Sequence, residues 1–378
     1  MLTSLIIGPA YPFRGGIAVY NERLAREFQQ QGDATSIITF TLQYPEFLFP
    51  GQTQYSGDPP PADLNIRELI NSVNPVNWLQ VGAKIRDARP DLVIIKYWLP
   101  FLAPCYGSLA RFIKRNHHTK IVSMLDNVIP HEKRPGDTVF TRYFLNGCDA
   151  FVYMSNVVGQ DLRRFETTKP AAFNPHPIYD NYGPPLPREK ALRALNLDPD
   201  SRYALFFGFI REYKGLDLLL QAFQDERVRS LPFKLIIAGE FYENPEKYLG
   251  LIRENQLEDR IIHVDKFISN EDVNKYFSAV DLVIQPYKHA TQSGVTQIAY
   301  NYEKPMIVSD VGGLSEIVAA GKTGYVVERT PEAIAEAILD FFENQRMAEF
   351  MPYLWEEKKR FSWEALYSTL IQLYEKIA

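Results

Sequence analysis

The feature that most constrains this chain is an alternation, met twice, of short apolar runs with amphipathic helical stretches. In the first half, apolar runs at 5–8, 35–40, 92–95, 121–125 and 150–154 read as strands. The segment 16–31 reads as a helix, because Tyr20, Leu24 and Phe28 recur at four-residue spacing and Gly32 stops it; a second follows at 156–165. In the second half, strands are expected at 203–207, 234–238, 261–264, 282–285, 306–309 and 324–327. Helices between them fall at 216–223, 245–255, 271–277, 295–302, 314–318 and 331–342, with Ser269 and Asp272 as a capping box for the third. Strands that each return through a helix make a parallel sheet covered on both faces.

Between these halves, Asn174-Pro175-His176-Pro177 and Gly183-Pro184-Pro185-Leu186-Pro187 propagate neither helix nor central strand. The expected fold class is therefore α/β, with two Rossmann-like doubly wound domains facing a cleft. The first spans 1–175 and the second 188–355, joined by a hinge at 176–187. A last amphipathic helix lies within 356–378. A chain of 378 residues suits two cores of about 150–200 residues better than one. In open parallel sheets ligands bind beyond the carboxyl ends of the strands.

Composition removes several function classes. With 46% hydrophobic and 23% charged residues the chain is globular, and its net charge of −5 gives no basic footprint for nucleic acid. Cys105 and Cys148 stand far apart without metal-ligand spacing, so a reduced, cytosolic chain is expected. The N-terminus reads as a first strand and not as a signal peptide. The apolar stretch 97–110 is too short to span a bilayer and is broken by Pro100 and Pro104. The segment 43–63, rich in Pro, Gly and Tyr, reads as a long functional loop.

Three strand–glycine–helix junctions of the second half carry the chemistry. In the first, Gly208 ends a strand, Arg211 and Lys214 occupy the turn, and Gly215 opens a helix. Two cations beside a helix N-terminus form an anion site, since free backbone N–H groups add to the side-chain charge. In the second, Thr291-Gln292-Ser293-Gly294-Val295-Thr296 is a turn of small residues that lets backbone amides approach a phosphate, with hydroxyls from Ser293 and Thr296. The third is Ser309-Asp310-Val311-Gly312-Gly313-Leu314-Ser315-Glu316. Three such junctions in one domain point to a nucleotide diphosphate.

These residues resemble the family 4 type (group 1) of retaining glycosyltransferases with the GT-B fold. Gly208…Lys214-Gly215-Leu216-Asp217-Leu218-Leu219 is similar to the family's glycine turn and following helix. The run from Lys304-Pro305 into Gly312-Gly313-Leu314-Ser315-Glu316 resembles its Gly-Gly-x-x-Glu segment, and Gly321-Lys322-Thr323-Gly324 the strand after it. Tyr11-Pro12 and Gly15-Gly16 resemble its first-strand loop. The resemblance implies transfer of a sugar from a UDP- or GDP-type donor to a glycan, lipid-linked or small-molecule acceptor, as in polysaccharide biosynthesis, without a metal or other cofactor. It implies that Arg211, Lys214 and the amides of Ser293, Gly294, Val295 and Thr296 hold the donor diphosphate. Phe267 and Ile268 would contact the base, and Gly15-Gly16 the transferred sugar. The final helix would cross back to the first domain.

The chain departs from the family pattern at several places. Where the family carries two glutamates eight positions apart, this chain has Ala290 and Ile298, and Gln297 beside the second is left for the ribose. The arginine usual after the first glycine is Phe209, so its role passes to Arg211. Asp126 stands where histidine is common, and it or His131 would line the reaction centre as the catalytic residue. Asp198-Pro199-Asp200 imitates a metal motif but lies in a turn of turn-forming residues. The segment 107–120, with Arg111, Lys114, Arg115 and Lys120, reads as an amphipathic helix covering the sheet. Peripheral contact with an anionic membrane is its second reading. With the glutamates absent, a catalytically silent nucleotide-sugar-binding protein and a sugar-nucleotide epimerase of the same architecture stand as alternatives.

Overall fold

The structure, a computed structural model, describes residues 1–45, 53–130, 134–290 and 293–378. The chain forms two compact units, Met1–His176 with Ser362–Ala378, and Pro177–Phe361.

The first unit is built on seven strands: β1 (Thr3–Ile7), β2 (Ala34–Leu42), β3 (Ile66–Asn71), β4 (Leu92–Tyr97), β5 (Lys120–Leu125), β6 (Ala150–Tyr153) and β7 (Ala171–Phe173). They pair in the order β3-β2-β1-β4-β5-β6-β7, every pair parallel. Strand order reverses between β1 and β4, the switch point at which open sheets of this kind bind ligands. The central strand β4, Leu-Val-Ile-Ile-Lys-Tyr, is buried at every residue, as a strand covered on both faces must be.

The second unit holds β8 (Arg202–Phe207), β9 (Phe233–Ala238), β10 (Ile261–Val264), β11 (Leu282–Gln285), β12 (Met306–Ser309) and β13 (Gly324–Val327). Their order is β10-β9-β8-β11-β12-β13, again all parallel. The expectation of two doubly wound α/β units holds.

The elements missing from the sequence reading share a physical cause. β3 and β7 are edge strands, one carrying Arg67 and Glu68 and the other only three residues long, so neither shows a buried apolar run. Helices Pro75–Ala88 and Asp137–Gly147 also went unread. The helix expected over 107–120 stops at Ile113 and passes through a 3-10 turn at Lys114–Asn116 into β5. Its basic side chains serve the fold: Arg111 donates to the carbonyls of Gly107 and Tyr143, and Lys114 pairs with Asp149. The capping box at Ser269 is not formed, because its side chain makes no cap bond to the helix Asn270–Ala279 and hydrogen-bonds the Asp272 carboxylate instead.

Helix Trp363–Ile377 returns to the first unit. Ser362 Oγ caps it by accepting from Ala365 N at 3.2 Å, and Trp363, Leu366, Leu370 and Leu373 form its buried stripe. Trp363 meets Tyr20 and Tyr367 meets Phe28, each at 4.9 Å between ring centroids. The helix therefore shares the core of the unit that begins the chain. Truncating the fully buried Leu370 to alanine is expected to cost about 2–5 kcal/mol, read from urea unfolding. An unchanged midpoint would mean that the helix is not part of that core.

Candidate functional site

Parallel strands deliver all their strand-to-helix turns to one edge of a sheet, and the expected anion residues occupy that edge in the second unit. After β8 the chain turns at Gly208, which sits at φ +94°, and runs through Arg211 and the 3-10 turn Glu212–Lys214 to Gly215. Gly215 has φ +68°, and a Cβ there would lie 1.9 Å from the Pro286 carbonyl oxygen. Only glycine lets the β8 turn pack this closely on the turn that follows β11. Lys288 reinforces the contact, its backbone N–H donating to Tyr213 O at 2.6 Å and its ammonium pairing with Asp217 at 2.7 Å.

The approach brings together residues far apart in sequence. A Cβ built on Gly208 would stand 3.0 Å from Lys214 Nζ and 3.8 Å from Val295 Cγ2. Lys214, Gly208 and the first turn of helix Gly294–Asn301 thus converge. That first turn takes no side-chain cap, which leaves its N–H groups for an external acceptor. The hydroxyls of Ser293 and Thr296 do not point to a ligand as the sequence suggested. Both donate to Gln285 Oε1, at 2.6 and 3.1 Å, and both residues are buried. An anion at this turn would therefore be met by its backbone amides. Thr291 and Gln292, the start of the turn, lie outside the described residues.

Charge at the site is unusual. Lys214 is buried, and its ammonium makes no hydrogen bond or ion pair among the described residues. Desolvation, with the Arg211 guanidinium adding to it, pushes its pKa down to about 7. The ring of Tyr287, 5.6 Å from Nζ, is its nearest aromatic face. Arg211 lies over Tyr242 at 4.9 Å. Tyr242 is 4.3 Å from Phe209, and Phe209 is 6.0 Å from Phe267 at 27°. Phe209, in the family's arginine position, thus continues an aromatic shelf across the ends of β8, β9 and β10. Phe267 is half-buried on that shelf, whereas Ile268 is buried behind it. Gln297 is wholly buried, with neither amide atom partnered among the described residues. An open pocket of about 600 Å³ adjoins the ends of β11, β12 and β13, lined in part by Lys288, His289, Asp310 and Arg329. Its basic residues were not singled out in the sequence, where they sit in no glycine motif.

In the first unit, Gly15 (φ +106°) is the N-cap of helix Gly16–Gln30 and has open space where a Cβ would be. Asp126 follows β5, is buried, and pairs at 2.8 Å with Lys96 of β4. Lys96 was overlooked because one lysine in an apolar run reads as a strand end. His131 lies outside the described residues. Among the described residues no cluster of three His, Cys, Asp or Glu side chains is arranged to hold a metal ion, and Asp198 closes its own turn by accepting from Asp200 N and Ser201 Oγ. Among the same residues no helix is long and apolar enough to cross a membrane.

The chain is similar to known glycosyltransferases along most of its length. Residues 201–344 match the family described as glycosyl transferases group 1, and residues 14–178 match glycosyltransferase family 4. A D-inositol 3-phosphate glycosyltransferase of Corynebacterium urealyticum is 30% identical over half of this chain, a match spanning 46% of that protein. An uncharacterized glycosyltransferase of Methanocaldococcus jannaschii is 24% identical over 97% of this chain and 96% of its own. Among solved structures, HepE of Anabaena in complex with UDP and glucose superposes with a TM-score of 0.73 at 15% identity, covering 99% of this chain and 98% of its own. A sucrose-phosphate synthase of Thermosynechococcus elongatus gives 0.71 at 18% identity, with 99% and 98% covered. At such identities the likeness is one of fold.

The unpaired Lys214 generates a pH dependence. In the unfolded chain it keeps the ordinary lysine value of 10.5, against about 7 in the fold. Below about pH 7 both states hold the proton, and the full cost of burying the charge is present. As pH rises from 7 toward 10.5 the folded chain loses its proton first, so stability rises. Relative to Lys214→Met, the parent is expected to gain on the order of a few kcal/mol between pH 7 and 10 in urea unfolding. A pH-independent difference would contradict a buried, unpaired ammonium.

Proposed function

From the premise that this chain belongs to the group 1, family 4 type of glycosyltransferases, with the GT-B fold, we propose that its second unit binds a nucleoside diphosphate sugar and that the chain transfers the sugar with retention. The observation that carries the reading is the convergence of Lys214, Gly208 and the uncapped start of helix Gly294–Asn301, with Arg211 close enough to Lys214 to lower its proton affinity. Two cations and a row of backbone amides are what a diphosphate needs, and the like charges of Arg211 and Lys214 oppose one another in a way that an anion relieves.

The same arrangement supports the bond-breaking step. Negative charge develops on the leaving diphosphate as the glycosidic bond to the sugar lengthens. Positive groups fixed in a desolvated site stabilise that charge more than water does, and without reorganisation. Arg211 and Lys214 supply this charge in the proposed mechanism, so the reaction needs no metal. The half-buried Phe267, with Phe209 and Tyr242 behind it, offers a stacking face for the base. Gln297 is left to the ribose, a contact that requires its buried amide to turn toward the ligand. A UDP donor is favoured by the UDP complex of the similar HepE. The acceptor is a glycan, a lipid-linked sugar or a small polyol, the last in keeping with the inositol phosphate relative.

Assay of the chain against a panel of UDP- and GDP-sugars, with and without acceptors, tests the reading. Release of nucleoside diphosphate is expected for at least one donor. Arg211→Ala and Lys214→Met are each expected to weaken UDP or GDP binding about tenfold or more, the loss of a charged hydrogen-bonding partner. Parent-like affinity in both variants would remove the diphosphate assignment. Binding without turnover would mark a silent binder, and a changed sugar without acceptor an epimerase.

Metal independence has its own check. Turnover is expected to survive exhaustive treatment with EDTA within about twofold, as electrostatic stabilisation by fixed cations requires. Abolition, with rescue by a divalent ion, would assign the charge to a metal.

A further inference from the structure

The stretch read from the sequence as a hinge, 176–187, belongs from Pro177 onward to the second unit and runs over it as a strap. Both ends of the strap are anchored there. Ile178 N donates to Phe361 O at 3.0 Å, and Leu186 N donates at 3.0 Å to Ser278 Oγ on the helix Asn270–Ala279. Between these anchors the strap meets both ends of another helix, Gly294–Asn301. At its start the ring of the buried Tyr179 covers Gly294, where a Cβ would stand 3.0 Å from Tyr179 Cε2 and 3.5 Å from the hydroxyl oxygen. At its far end the buried Tyr302, the C-cap residue, donates its hydroxyl proton to Gly183 O at 2.8 Å, with Tyr182 O at 3.1 Å sharing it. Gly183, at φ +85°, makes the turn that brings both carbonyls to one hydroxyl. Tyr179 and Tyr182 face each other at 5.7 Å between ring centroids, so the two contacts belong to one aromatic wedge.

The first turn of this helix needs such support. An eight-residue helix does not hold its own start, because fixing the first turn costs more than its few hydrogen bonds return. No side chain among the described residues caps it. The Ser293 hydroxyl, placed to accept from the first amides, donates instead to Gln285 Oε1, and so does that of Thr296. Packing fixes the turn, through Gln285 on one side and Tyr179 on Gly294. Amides held still receive an anion better than amides that must first be ordered.

We propose that Tyr179 and Tyr302 are positioning residues for the donor diphosphate: the strap clamps the helix Gly294–Asn301 at both ends and so fixes the amides of its first turn toward the anion. The proposal rests on the donor reading for the ligand, but not for the clamp. Both tyrosines act through the helix and neither needs to touch the nucleotide. By linkage, an anion on these amides tightens the strap by the factor with which the strap tightens the anion. The segment that joins the two units thereby registers whether the donor site is filled.

Two measurements test the clamp and its purpose separately. In the ligand-free chain, the amides of Ile298–Asn301 bond to carbonyls of the first turn, so their hydrogen exchange reports whether that turn stays folded. Exchange there is expected to quicken about fivefold or more in Tyr179→Ala and in Tyr302→Phe, and to return toward the parent rate in Tyr179→Phe, which keeps the ring. Unchanged exchange at the helix overturns the proposal, as does exchange that quickens equally in β9. This result stands even if the parent binds no nucleotide, an outcome that would refute the functional reading alone. The second measurement titrates UDP and GDP against their nucleosides, uridine and guanosine. In Tyr179→Ala and Tyr302→Phe the diphosphate is expected to bind about fivefold or more weakly and the nucleoside within about twofold of the parent, with Tyr179→Phe recovering the diphosphate. Tyrosines that serve folding alone would weaken both ligands equally, and that result overturns the proposal, as does parent-like diphosphate affinity in both variants. With the diphosphate bound to the parent, exchange at Tyr182 and Gly183 is expected to slow, and an unchanged rate there overturns the linkage.

Discussion

Parallel strand pairing is the constraint from which the functional arrangement follows. Because each strand of a parallel sheet must be re-entered from the same end, every strand-to-helix turn of a unit emerges along one edge. In the second unit this puts the turns after β8, β9, β10 and β11 side by side. Their glycines then decide how close they come. The contact of Gly215 with Pro286 is tighter than any side chain would allow, and Lys214 and Val295 both close on Gly208. A sheet with antiparallel members would scatter the same residues to opposite edges.

The two units use buried lysine in opposite ways. Lys96 is neutralised by a carboxylate that the fold provides, so its charge is satisfied whether or not a ligand is present. Lys214 has no such partner among the described residues, and its neighbour Arg211 has the same sign. The first arrangement fixes a geometry. The second stores an electrostatic demand that a polyanion meets, and it makes the affinity of the site for protons and for anions two aspects of one property.

How much of this was legible depended on whether the signal was local. The parallel α/β class and the strands β1, β2, β4, β5, β6 and β8 to β13 were evident as apolar runs: central strands covered on both faces exclude polar residues, and the edge strands β10 and β13 are largely apolar as well. Edge strands β3 and β7 lack that requirement and left no mark. At the site, Arg211, Lys214 and Gly294 were visible because glycine, cation and helix start adjoin in sequence. The burial of Ser293 and Thr296 against Gln285 was not, since a hydroxyl in a small-residue turn reads the same whether it points inward or outward. The Lys96–Asp126 pair was hidden for another reason. Lys96 sits on β4 and Asp126 just past the end of β5, 30 positions apart, and only the sheet register aligns Lys96 with Met124 and brings the end of β5 beside it.

The return of Trp363–Ile377 to the first unit also bears on how the chain acquires its shape during synthesis. Tyr20 and Phe28 emerge from the ribosome well before their partners Trp363 and Tyr367, which follow the whole of the second unit. The continuous stretch Pro177–Phe361 can therefore be complete while the earlier-made unit still exposes the apolar face of its first helix. Vectorial synthesis thus inverts the usual sequence in which an N-terminal domain folds first. For the interval in which residues 177–361 are translated, the nascent first unit lacks the helix that covers this face.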